Sequence, residues 1–251
     1  MVRRLTAAFF ASADRWGVAH RLALFASIGP LAGMLLLTAL FFAWRGAFRL
    51  VLNEDGVAEY LQLACWVGIG IFAAAIAVSR WRSGHRWQAL IFVGVALAAV
   101  FAAGEEISWG QRILGFQTPE DLLEINVQGE TTLHNMGRTL LVFNMLLVVT
   151  SLYAMVAEPL GRWLHIGRRW DRAEYLFLPP LFLAGAFMTM AGHRIARWVL
   201  DLDSYALTKL GEWSELTYAA GILAYMFLAW RRLAHSNDAA TQSSSRPDFR
   251  K

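Results

Sequence analysis

The residues able to do chemistry gather in three short stretches. "AGEEISWGQRILGF" (103–116) sets Glu105 beside Glu106, with Ser108 and Arg112 close behind. "NVQGETTLHN" (126–135) supplies Glu130, His134 and Asn135, and Arg138 follows one turn later. "AGHRIARW" adds His193 and Arg194. Carboxylates, a serine and histidines brought together can run general acid–base or nucleophilic chemistry, so Glu105, Glu106, Ser108 and His134 are the candidate catalytic groups. Glu130, His134 and His193 are candidate ligands for a divalent metal such as zinc. Arg112, Asn135, Arg138 and Arg194 could hold a phosphate or sulfate head group.

The glutamates stand where charge is costly. The apolar run before them enters near Trp87, and at 1.5 Å per residue Glu105 lies about 27 Å further on, at the far edge of a hydrocarbon core about 30 Å thick. A helix C-terminus disfavours anions and desolvation adds to the cost, so an arginine or a bound cation is expected nearby. If the helix continues, Glu105, Ser108, Trp109 and Arg112 share one face. Thr131 or Thr132 can cap the next helix and put His134 in its first turn, where the dipole favours neutral imidazole, a base or a ligand. The plainer reading makes the glutamates partners of arginine or water, and His134 an interfacial hydrogen-bonding residue.

The elements that must position these groups are membrane helices. The chain has 251 residues, 57% of them hydrophobic, above the roughly 45–50% of a soluble domain. Uncharged runs cover 22–44, 60–79, 87–104, 139–157, 175–192 and 216–230, and a span needs roughly 20 mostly apolar residues. The last run is short and must extend back through Trp213. The expected fold is therefore an all-α polytopic bundle of about six transmembrane helices over 22–232. Residues 1–21 form a cytoplasmic or interfacial segment, because the apolar stretch Leu5–Phe10 is too short for a signal peptide. Residues 233–251, polar throughout the tail, are expected to be disordered. Thr118-Pro119-Glu120-Asp121 reads as a helix start, and Leu122, Leu123 and Ile125 give that short helix an apolar side to lie on the membrane surface. Pro179-Pro180 predicts a kink or a late helix start in the fifth span.

Charge sets the topology. Segments 1–21, 80–86, 158–174 and 231–251 hold 16 Lys/Arg and 6 Asp/Glu, whereas 45–59, 104–138 and 193–215 hold 7 and 13. This split puts both termini in the cytoplasm of a cell inner membrane and the candidate chemistry on the outer side. The net charge of +4 flanks spans rather than forming one basic surface, which argues against nucleic acid and leaves membrane lipid as the partner. Cys65 stands alone, so no internal disulfide can form. A faint echo links "EDGVAEYL" (54–61) with "GEWSELTY" (211–218), although carboxylates at a helix start are also ordinary complements of the dipole.

The blocks "GEEISWGQR" (104–112), "TPE" (118–120) and "NVQGETTLHN" resemble an uncharacterised bacterial polytopic membrane family, which implies spans but no reaction. A looser likeness is to the alkaline-ceramidase-like membrane hydrolases, which would give Ser108, His134 and His193 roles around zinc. Those enzymes use seven spans and a paired-histidine motif, and this chain has neither. The favoured expectation is a metal-assisted hydrolase or transferase working on a lipid or lipid-linked substrate at the outer face. The alternatives are a non-catalytic assembly or sensor protein and a transporter. Transporters place ionisable groups at mid-membrane, where this sequence offers only Gln62, Asn144, Thr150 and Ser151.

Overall fold

The computed structural model describes residues 2–53, 56–115, 117–120, 131–132, 137–164, 174–200 and 204–244. Among these residues the protein is all-α, with no strand. The helices are α1 (Val2–Trp16), α2 (His20–Ala43), α3 (Arg45–Leu52), α4 (Val57–Arg82), α5 (Arg86–Glu106), α6 (Gln111–Leu114), α7 (Gly137–Trp163), α8 (Ala184–Leu200) and α9 (Tyr205–Ser244). Each apolar run of the sequence falls on one of the long segments. Five described stretches are long and apolar enough to cross a membrane: His20–Ala43, Arg45–Arg82, Arg86–Glu106, Thr139–Trp163 and Tyr175–Leu200. Their outward faces carry large apolar side chains such as Phe25, Leu35, Leu36, Leu97, Val100 and Val149. Facing water, so much exposed apolar surface would drive aggregation; facing acyl chains, it is at home.

The sixth run lies in α9 and is less apolar, because α9 sits inside the bundle. It packs on α4, α8 and α2 and buries Tyr218, Ala219, Tyr225, Met226, Ala229 and Leu233. A helix surrounded by protein does not need an apolar exterior and can carry hydrogen-bonding residues such as tyrosine, serine and threonine. Its helix runs on to Ser244, into the 233–251 segment expected to be disordered. Extending a helix already nucleated in a packed core costs little per residue.

Close approach between helices relies on small residues. A Cβ on Gly185 of α8 would stand 1.7 Å from the Ser27 carbonyl oxygen of α2, so only glycine lets these backbones touch. Gly84, in the left-handed region at φ +78°, ends α4 and lets His85 N–H reach back 2.9 Å to the Arg80 carbonyl. That tight turn folds α5 antiparallel against α4. The diproline behaves as expected: Glu174–Phe177 and Leu181–Leu183 are short 3-10 turns, Pro180 is extended, and α8 begins only at Ala184. One element departs from expectation. The segment between the first two long helices holds α3, whose Phe48 and Leu52 are fully buried against Leu37, Ala58, Leu210 and Leu216.

Candidate functional site

The helices bring together a polar group at the end of the bundle where α5 stops. Gln62, in the second turn of α4, is 2% exposed. Its side-chain amide donates to the Glu106 carboxylate and, at 3.4 Å, to Oε2 of Glu215 on α9. Glu215 also accepts a charge-assisted bond from Nη2 of Arg194 on α8. Glu212, one turn before Glu215, and Glu59, three residues before Gln62, lie within electrostatic reach of the same carboxylates. Lys209 and Arg194 are the cations that act on Glu212. Three helices, α4, α5 and α9, thus contribute four carboxylates, and two basic groups, from α8 and α9, face them.

This group is not saturated. The Gln62 Oε1 atom is buried and has no hydrogen-bond partner among the described residues, and neither has Nε of Arg194. Trp66, four residues on and so on the same face of α4, holds its indole N–H in the same condition. Buried polar atoms in folded proteins are nearly always bonded to protein or to ordered water, so these atoms are open to a further partner.

The sequence-derived candidates divide around this group. Glu106 and Arg194 belong to it. His193 borders it: its Nε2 meets the Leu207 carbonyl at 2.8 Å and its Nδ1 faces the Ser214 hydroxyl at 3.5 Å. Both ring nitrogens therefore serve contacts between α8 and α9. Glu105 turns away. It is buried and accepts a 2.5 Å bond from the Trp109 indole N–H. The continuous face of Glu105, Ser108, Trp109 and Arg112 does not form, since α5 ends at Glu106 and Ser108 and Trp109 take left-handed backbone at φ 48° and 54°. Ser108 is 1% exposed in that reversal. The backbone of Arg112 lies in α6 and that of Arg138 in the first turn of α7; their side chains, with Glu130, His134 and Asn135, lie outside the described residues. So does most of the surface helix expected after Pro119. Among the described residues, no three His, Cys, Asp or Glu side chains are grouped to hold one metal ion.

Sequence reasoning passed over Gln62, Glu59, Glu212 and Glu215 as site residues. Gln62 was counted as a mid-span polar group, yet it sits against the last residue of α5. The signal was the echo between residues 54–61 and 211–218, whose Glu59, Glu212 and Glu215 lie within electrostatic reach of one another. At the start of α6, Gln111 adds an unforeseen tie: its side-chain amide nitrogen donates to Thr118 Oγ1 at 2.7 Å and its side-chain oxygen accepts from Thr131 N–H at 2.8 Å, linking two points of the long connection between α5 and α7. No family model, no curated protein and no solved structure matches the chain, so its functional reading rests on these residues alone.

Proposed function

We propose that this chain is a six-span protein of the cell inner membrane, with both termini in the cytoplasm, that performs hydrolysis or group transfer on a lipid or lipid-linked substrate at the outer face. The observation that carries the reading is the carboxylate group of Glu59, Glu106, Glu212 and Glu215 around buried Gln62. Ionisable side chains inside a membrane bundle are costly and mark functional sites. Glu106 stands at the end of its helix with one face toward the bundle, where a carboxyl can take or give a proton to a head group entering from the outer leaflet. Arg194, tethered to Glu215, is placed to hold an anionic part of the same substrate. A metal would have to draw on Glu130 and His134 as well as His193. A sensor or assembly role is the second reading, favoured by the Arg194–Glu215 pair and the two His193 contacts, which lock helices together.

Two measurements test this. In a Cys65→Ser background, a cysteine at position 128 should react with an impermeant reagent on intact cells; reaction only after the cells are opened would overturn the topology. Lipid extracts from cells making the wild-type chain should differ in one lipid class from those making Glu106→Gln at equal membrane levels. Identical extracts would hand the lead to the sensor reading.

A further inference from the structure

The acidic group can be given a ligand class, resting on the reading above. Its described ionisable groups are the carboxyls of Glu59, Glu106, Glu212 and Glu215 beside Arg194 and Lys209; the carboxyls repel one another when ionised, and a cation among them relieves that repulsion. The second observation is independent of charge. Gln62 is almost wholly buried, its amide nitrogen is engaged by two of the carboxylates, and its oxygen, on the same amide plane, has no partner. A carbonyl oxygen only accepts, so the missing group must donate. Among the described residues the carboxylates are not grouped to close on a single metal ion, whereas two of them, Glu106 and Glu215, meet on the Gln62 amide. Glu215 remains 27% exposed, so the group is reachable from outside.

We propose that this site binds a primary ammonium group, with Gln62 Oε1, Glu106 and Glu215 as its acceptors. The ammonium belongs either to an outer-leaflet lipid head group or to a free amine. A quaternary ammonium carries the charge but no N–H, so it leaves Gln62 unsatisfied and is rejected. The discrimination comes from the amide rather than from the acids.

The test uses the full chain purified in detergent. Ethylammonium should raise the melting temperature in a saturable way, and tetramethylammonium at equal ionic strength should not. Equal shifts from both ions, or none from either, overturn the proposal, and this arm needs no variant. Gln62→Leu should weaken ethylammonium binding at least tenfold and abolish the preference; a preference that survives in a folded Gln62→Leu protein also overturns it. Nanodiscs then identify the source. If phosphatidylethanolamine, but not phosphatidylcholine, competes with ethylammonium, the head group is the ligand; if neither competes, a free amine is. Loss of ammonium selectivity with a Glu106-dependent lipid change intact would sink this inference alone. Selectivity without any lipid change would sink only the catalytic reading.

Discussion

The two ends of the bundle each bury glutamate, and they treat it in opposite ways. At the end where α1 packs, Glu158 of α7 is 1% exposed and every direction around it is filled. Ser12 Oγ donates to it at 2.5 Å, Arg15 donates through Nε at 3.0 Å and through Nη2, and Leu181 N–H donates at 2.7 Å. One carboxylate meets one arginine and two neutral donors drawn from α1 and from the turn after the diproline. Arg232 of α9 adds a bond to the Arg15 carbonyl. At the other end, about 30 Å away along α4, four carboxylates meet two basic groups and Gln62 is left with an idle oxygen. The first arrangement answers all its own needs and serves as a clasp. The second does not: the Gln62 oxygen lacks a donor, and the proposed ammonium would supply it. Burial of a charge is thus poor evidence of function on its own; the balance of donors and acceptors around it tells more.

The largest effect should come from undoing the clasp. Glu158→Ala leaves Arg15 without its acceptor and Leu181 N–H without a partner, and removing one member of a buried ion pair costs about 3–5 kcal/mol. The purified variant should melt far below wild type or fail to leave the membrane as a single species. A melting temperature within a few degrees of wild type would show that the clasp is dispensable, and the contrast between the two ends would collapse. Glu106→Gln should behave differently. It keeps the shape and removes one of several carboxylates that repel each other, so stability should hold within about 1 kcal/mol while the lipid change is lost. A collapse as large as that of Glu158→Ala would make the acidic group structural too.

Arg194 comes next in size. Arg194→Met strips Glu215 of its charged partner inside an acidic group, which should cost about 2 kcal/mol. Adding Glu215→Gln to that variant should restore most of the loss, because the stranded charge disappears. A double variant as weak as the two losses summed would mean that the pair is not coupled.

How much of this was legible in sequence follows from where the signals lie. The spans were plain because charge is excluded from long runs, and every run became part of a helix. The late helix start after Pro179-Pro180 was plain because proline disfavours the helical state in the residue before it and lacks the backbone N–H. The clasp was invisible: Ser12, Arg15 and Glu158 are far apart along the chain, and none stands out locally. The acidic group was half visible. Glu106 and Arg194 were marked by their place at run ends, whereas Glu59, Glu212 and Glu215 were discounted as ordinary dipole complements. Gln62 was misplaced because a run of uncharged residues does not say which of its turns lies at the boundary. The break after Glu106 was missed because Ser108 and Trp109, without a glycine or proline before them, give no warning of left-handed backbone.

That break supports the smallest prediction and sharpens the contrast between adjacent glutamates. Glu105 and Glu106 follow each other on α5, so their side chains diverge by about 100° around the helix axis. Glu106 turns into the acidic group. Glu105 is met by the Trp109 indole N–H, brought back over the helix end by the left-handed reversal, while the ring packs edge-on to Phe101 with centroids 5.6 Å apart. Trp109→Phe keeps an aromatic ring against Phe101 and deletes the N–H. Losing a hydrogen bond to a charged acceptor costs about 1.5–3 kcal/mol when the acceptor stays dry, and less here because Trp109 is 45% exposed and water can replace it. A drop of about 1 kcal/mol is expected, read as a melting shift of a few degrees. Ethylammonium binding should be unchanged, since Glu105 faces away from Gln62. If Trp109→Phe weakened that binding as much as Gln62→Leu, the two glutamates would belong to one site, and the division drawn between them would be wrong.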